Sequence, residues 1–292
     1  MHYNGVLFLT LICFIAGLVQ AMPVSKRGGG GGSLWGITYT AKDSDGSCHS
    51  SQQVQQTIQR FKKNGIKNVR TYSTECNQLP NILKALESAG DMKMLVGLWM
   101  DGSSKDDEEI STAVSALSKA NKNLINGVMV GNEAIQGGLM QAGELASKIK
   151  EVKGKLSGFQ VGTVETPTSF DSQLIDASDM LVVNIHPFFA SVSADKGVSN
   201  LQQQLSSFKG KAGDKQVVVG ETGWPSEGDN NGAAQPSTQN LETYVKDITQ
   251  TDIQYYYFEA QDSDWKSGGD FNVEQHWGLM DAQGKSKISQ FQ

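Results

Sequence analysis

Glu133 closes the run Gly127-Val-Met-Val-Gly-Asn132-Glu133, and Glu221 closes Val217-Val-Val-Gly-Glu221, which continues as Thr-Gly-Trp224-Pro225-Ser226. Both runs are continuous apolar or β-branched stretches with a glycine close before the acid, the pattern of a buried parallel strand. A carboxylate at the exit of such a strand clears the core yet stays on a rigid element. Two carboxylates converging on one anomeric carbon are what acid/base cleavage of a sugar–sugar bond requires. Retention of configuration needs them about 5–5.5 Å apart and inversion about 6.5–9.5 Å.

The elements that must position this pair alternate regularly. Strands are predicted over Leu34–Thr40, Lys67–Ser73, Lys93–Met100, Ile125–Glu133, Gln160–Thr166, Asp179–Pro187, Lys215–Thr222 and Asp252–Glu259. Between them, apolar residues recur at helical spacing: Val54, Ile58 and Phe61; Ile82, Leu83 and Leu86; Ile110, Val114 and Leu117; Leu145, Ile149 and Val152. Shorter helices are predicted over Ser172–Ala177, Leu201–Phe208 and Thr238–Ile248, with a stub over Lys285–Phe291. Eight strand–helix units within residues 33–292 predict an α/β fold, a single (β/α)8 TIM barrel. A doubly wound sheet would usually carry a Gly-rich loop after its first strand, and Tyr39-Thr-Ala-Lys-Asp has none.

Chemistry in such a barrel sits at the C-terminal strand ends. Those ends supply Tyr39, Arg70, Tyr72, Asp101, Asn132, Glu133, Glu165, Asn184, His186, Glu221, Trp224 and Glu259. Strands four and seven lie nearly opposite each other, which lets Glu133 and Glu221 approach one sugar from two sides. Asp101, Glu165 and Glu259 are read first as hydrogen-bonding supports or loop caps. Tyr39, Arg70 and Tyr72 are candidates to orient a sugar beside Glu221, and Arg70 is also suited to hold Glu221 ionised. Trp224, Phe188 and Trp265 offer faces for stacking pyranose rings, with core packing as the alternative. His186 is read as a structural strand-end histidine.

Gly131-Asn132-Glu133 and Gly220-Glu221-Thr-Gly-Trp224-Pro225 resemble family 17 of the glycoside hydrolases, the β-1,3-glucanases and glucanosyltransferases. Trp35-Gly-Ile-Thr-Tyr39, Val69-Arg70-Thr-Tyr72 and Val183-Asn184-Ile-His-Pro187-Phe188 fit the same pattern. So do Asp264-Trp265-Lys266 and Glu274-Gln-His-Trp277-Gly278-Leu279, and the similarity spans Leu34 to Asp281. The resemblance implies that Glu133 is the general acid/base and Glu221 the nucleophile, and that Lys266 and Glu274 line the cleft. Asn132 is suited to the sugar 2-hydroxyl, a contact that strengthens in the transition state. Plant members carry a longer excursion after the sixth strand. Here Phe188 to Ser199 is brief, so a differently walled acceptor side is expected.

The ends and the composition bound the setting. Val6 to Val19 is apolar apart from Thr10 and Gly17, and Val19-Gln-Ala21 suits signal-peptidase cleavage, so residues 1–21 read as a secretory signal peptide. Residues 22–32, with Lys26-Arg27 and five glycines, read as a propeptide or flexible Gly-rich leader, and residues 33–292 as the catalytic domain. Cys13 leaves with the signal. Cys48 and Cys76 remain as an even pair in an oxidising compartment, where a disulfide is expected. The net charge of −6 comes with no basic stripe, which argues against nucleic acid and suits an uncharged polymer. No Asn-x-Ser/Thr sequon is present.

The expectation is a secreted, extracellular or cell-wall retaining glycosidase acting on β-1,3-glucan by double displacement, as an endo-glucanase, a glucanosyltransferase or both. It needs no metal or organic cofactor, touches no membrane after signal removal, and is expected to be a monomer. The competing readings are a non-catalytic β-glucan-binding protein on a barrel scaffold and another β-glycanase of the same clan.

Overall fold

Residues 32–292 are described by a computed structural model of the chain. The expected signal peptide (1–21) and all but the last residue of the expected leader (22–32) lie outside the described residues. Eight parallel strands close into a barrel in sequential order: β1 Gly36–Thr38, β2 Asn68–Arg70, β3 Lys93–Leu98, β4 Ile125–Asn132, β5 Val161–Glu165, β6 Met180–Asn184, β7 Gln216–Thr222 and β8 Tyr255–Tyr257. Each falls within its predicted range. The helices are α1 Ser51–Lys63, α2 Gln78–Ala89, α3 Lys105–Leu117, α4 Ala142–Lys155, α5 Ser172–Ala177, α6 Ala194–Ala212 and α7 Thr238–Ile248.

Side chains alternating along the strands divide the core in two. Leu95, Met129, Val164, Met180, Val182, Val218 and Tyr256 fill the barrel interior. Their neighbours Val96, Val128, Val130, Val183 and Val219 pack outward, against helices that bury Val54, Ile58 and Phe61 on α1 and Leu145, Ile149 and Val152 on α4.

Two helical expectations are corrected. α6 starts at Ala194, seven residues before the expected Leu201, because its first turns pack through Ala194 and Gly197. A Cβ on Gly197 would come within 2.8 Å of the Tyr244 ring, so this is a close contact that an apolar-periodicity reading passes over. The predicted stub at Lys285–Phe291 is not an α-helix. Gly284 turns the chain at φ +75, Ser286 pairs antiparallel with Met280, and the Lys287 amide donates to the Leu279 carbonyl at 2.9 Å. The segment therefore folds back as a hairpin arm, with Phe291 against Phe61.

Cys48 and Cys76 form a disulfide, joining the loop after β1 to the loop after β2.

Candidate active site

Strict two-residue alternation does not deliver the acids. Val218 faces the barrel interior, so Glu221, three residues on, should face outward. It does not, because the β6–β7 register shifts: Val183 pairs with Val219, but Asn184 pairs with Glu221. The extra residue is Gly220, where a Cβ would sit 2.6 Å from Val182 and 2.7 Å from Asn184 Oδ1. Only glycine leaves that space, and the irregularity turns Glu221 inward. β4 does the same. Its pairing with β5 shifts between Met129 and Asn132, Gly131 takes φ +85, and Asn132 swings toward the interior.

Glu221 is buried and held from several sides. Arg70 Nη1 donates to Glu221 Oε1 at 2.9 Å and to the Gly220 carbonyl at 2.8 Å, and His186 Nε2 lies 3.1 Å from Oε2. Burial by itself would raise this carboxyl, but the Arg70 charge and then the His186 contact outweigh it and hold the pKa at about 2. The Arg70 guanidinium lies 4.7 Å over the Tyr72 ring. The buried Tyr72 hydroxyl has no protein partner among the described residues. Burial, then the negative charge of Glu221, pushes that phenol well up, so it stays a neutral donor.

Glu133 sits in the left-handed region at φ +51, a conformation that costs a non-glycine residue on the order of 1 kcal/mol or more and persists only when its surroundings enforce it. Its amide donates to the Val164 carbonyl at 2.8 Å and its carbonyl accepts from the Gly137 amide at 2.7 Å. The Glu165 carboxylate then accepts the next amides, from Ile135 at 2.9 Å and Gln136 at 3.3 Å. Asn184 Nδ2 donates to Glu133 Oε1 at 2.8 Å and to Asn132 Oδ1 at 3.2 Å. Arg70 Nη2 reaches the same Asn132 oxygen at 2.5 Å. Burial, and then the charge of Glu221, raises the Glu133 carboxyl above the ordinary carboxylate range. One acid is thus kept ionised and its neighbour is biased toward the protonated form, as acid/nucleophile pairs require.

The pair opens into a cleft of about 890 Å³ that runs over the loops after β1, β2, β3 and β8. Its walls include Trp265, Lys266, Glu259 and Glu274. Lys266 Nζ pairs with the buried Glu259 at 2.6 Å and lies 4.5 Å from the Phe258 ring centre. Trp265 keeps a large exposed face.

Of the predicted site residues, Glu133, Glu221, Arg70, Tyr72, Asn132 and Asn184 come together, and Glu259, Trp265, Lys266 and Glu274 form a wall of the same cleft. Three do not join them. Tyr39 follows the inward Thr38 by one residue, so it points into the helix layer, where its hydroxyl meets His49 Nδ1 at 2.7 Å and its ring packs on Phe61. Phe188 and Trp224 are fully buried. They pack edge-to-face on each other, and the Trp224 indole donates to the Gln235 carbonyl at 3.0 Å. Neither offers a face to a sugar, so both stacking assignments are corrected to core packing.

Sequence reading passed over Trp99 and Phe189 and gave His186 only a structural role. His186 touches Glu221, and its place two residues beyond the inward Asn184 was the available signal. Trp99 and Phe189 are among the most exposed large apolar side chains, at 42% and 43%. Asp101 accepts from the Ser103 amide as a loop cap.

A parallel barrel that brings two glutamates together at the exits of its fourth and seventh strands has the paired-carboxylate arrangement found in glycoside hydrolases. The BtgE/BtgC glycoside hydrolase domain family matches residues 36–278, and the chain belongs to that family. It is 36% identical over 260 residues to the "Probable beta-glucosidase btgE" of Aspergillus flavus, covering 86% of this chain and 42% of that protein. It is 32% identical over 255 residues to the "Probable family 17 glucosidase SCW10" of Saccharomyces cerevisiae, covering 84% and 64%. The chain thus spans roughly half the length of the curated relatives it matches. Among solved structures, an active-site mutant of the Rhizomucor miehei β-1,3-glucanosyltransferase in complex with laminaritriose superimposes with a TM-score of 0.79. The two are 26% identical, covering 89% of this chain and 97% of that one. The resemblance to family 17 read from the motifs is borne out.

Proposed function

We propose that the chain is a retaining enzyme of β-1,3-glucan that works by double displacement, with Glu221 as nucleophile and Glu133 as general acid/base. The observation that carries this is the divergent electrostatics of two acids bridged by Arg70 and Asn184. In the first step a Glu221 oxygen attacks the anomeric carbon while Glu133 gives its proton to the departing glycosidic oxygen. The bond to the leaving chain breaks as the glycosyl ester forms. Esterification removes the Glu221 charge that helped raise Glu133, so Glu133 becomes a base. It then takes a proton from water, giving hydrolysis, or from a hydroxyl of a second glucan chain, giving transfer. Either acceptor oxygen displaces Glu221 and restores the starting protonation state.

In this reading Asn132 meets the 2-hydroxyl, Tyr72 donates beside the nucleophile, and Trp265 with Lys266 flanks the bound chain. The apolar N-terminal segment and the Cys48–Cys76 bridge support secretion to the cell exterior or wall. Among the described residues no helix is long and apolar enough to cross a membrane. A monomer is sufficient, since every group of the proposed site comes from one chain.

Azide rescue tests the assignment of roles. Glu221→Ala with azide should yield an α-glucosyl azide by single displacement, and Glu133→Ala with azide the β-anomer, each from an activated substrate. The reverse pattern overturns the roles. Background-level sugar release from laminarin by wild type and Glu221→Ala alike would return the chain to a glucan-binding module.

A further inference from the structure

We propose that the arm of the cleft between the loops after β2 and β3 is an outer subsite for neutral glucan, floored by Trp99, with Glu109 as the positioning residue that sets this floor. The inference rests on the β-1,3-glucan reading and extends it to the part of the cleft remote from the reacting bond.

Trp99 is two residues beyond the inward-facing Gly97 at the exit of β3, so its indole belongs to the barrel mouth. It is 42% exposed and lines the same cavity as Glu133 and Glu221. An aromatic face exposed inside a cleft, beside a few polar groups, is the lining that ligand sites use. Its backbone is fixed. Glu109 on α3 accepts the Trp99 amide on Oε1 at 3.0 Å and the Thr74 amide on the same oxygen at 2.7 Å, while its other oxygen meets the Thr74 hydroxyl. One carboxylate therefore clamps the loops after β2 and β3 to each other.

The loops after β2 and β3 and helix α3 add Ser73, Asn77 and Thr112 to the cleft lining, together with Lys105 and the carboxylates of Asp101 and Glu108. These groups suit a chain of hydroxyls that both donates and accepts. The excess of carboxylates disfavours an anionic polymer such as a polyuronate or a phosphorylated glycan. A cavity of about 890 Å³ lies near the top of the range of roughly 300–1,000 Å³ for small-ligand sites, which leaves room beyond the ring being cleaved.

The test is the dependence of kcat/KM on chain length for linear β-1,3-gluco-oligosaccharides. From the shortest to the longest substrate, the ratio of wild type to Trp99→Ala should widen by roughly three- to tenfold, the scale of one aromatic contact. The widening should sit in KM. Trp99→Phe should recover most of the loss and Trp99→Leu little of it, and Glu109→Gln should show the same length dependence in weaker form. A ratio that stays flat with length, whether near unity or uniformly depressed, overturns the subsite. A wild type that turns over none of these oligosaccharides would instead sink the functional reading on which the subsite rests.

Discussion

Arg70 and Glu221 meet at 2.9 Å with both side chains almost sealed from solvent. The same guanidinium nitrogen also donates to the Gly220 carbonyl, so the ion pair is locked to the register shift that turns Glu221 inward. Arg70→Met should remove the charge that offsets burial and let the Glu221 pKa climb from about 2. Because the role proposed for Glu221 requires it to be ionised, the acid limb of kcat/KM against pH should move to higher pH, with a larger loss at pH 5 than at pH 7. Removing one partner of a buried pair costs about 3–5 kcal/mol, so the melting temperature should fall as well. An acid limb left where it was would contradict the assignment of Glu221.

Glu165 carries the turn that holds Glu133. Burial raises its carboxyl to about 7, against the pull of the Ile135 and Gln136 amides. The folded pKa exceeds the unfolded one of about 4.3, so between those values the native state keeps a proton that the unfolded chain releases. The stability tied to this group is present below pH 4.3 or so and is lost as pH rises to about 7, to the extent of about 3–4 kcal/mol. Glu165→Gln cannot ionise. Its melting temperature should therefore decline less than that of wild type between pH 4.5 and pH 7, although it starts lower because an amide satisfies only one of the two backbone donors. Parallel pH profiles for the two proteins would rule this out.

The barrel was legible because its strands are apolar runs of the right length and its helices carry regular apolar spacing. The two acids were legible as the glutamates that close buried strands, and their division of roles through motif resemblance, but their inward orientation was not legible. Alternation alone turns Glu221 and Asn132 outward, and the glycine-centred shifts that reverse them are not a periodic signal. Phe188 was chosen where Phe189 is the exposed ring because the chain leaves β6 at Asn184 and tightens into a 3-10 turn over Pro187–Ala190, where two-residue spacing no longer holds. Trp99 could have been found, since it keeps the inward parity of Leu95 and Gly97. Tyr39 was misplaced for want of the same parity test.

The Cys48–Cys76 bridge closes a loop with a sequence separation of 28, which the chain-entropy model values at about 3–4 kcal/mol. The bridged segments carry Lys42 and Glu75, whose 2.8 Å ion pair stands at the cleft wall. Cys48→Ser paired with Cys76→Ser should lower the melting temperature by roughly 10 °C and raise KM for long glucans more than it changes kcat. A reducing agent should reproduce the drop in wild type. A melting temperature unmoved by either treatment would show that the bridge contributes no stability.

Phe189 follows β6, three strands around the barrel from β3, whose exit carries Trp99. Its ring lies edge-on to His186 at 6.2 Å and tilted against Trp277 at 5.9 Å, so it is backed by aromatic packing and bare toward solvent. A sugar that resolves the glycosyl ester must be held against the competing concentration of water, and an apolar ring favours the sugar without stabilising water. Phe189→Ala should therefore shift the outcome from transfer toward hydrolysis by about three- to tenfold, the range expected for one stacking contact. The readout is the ratio of elongated products to new reducing ends at a fixed donor concentration. Both routes share the first chemical step, so damage to that step cancels in the ratio. A ratio unchanged by Phe189→Ala, with Phe189→Tyr behaving the same way, would place the acceptor elsewhere along the barrel mouth.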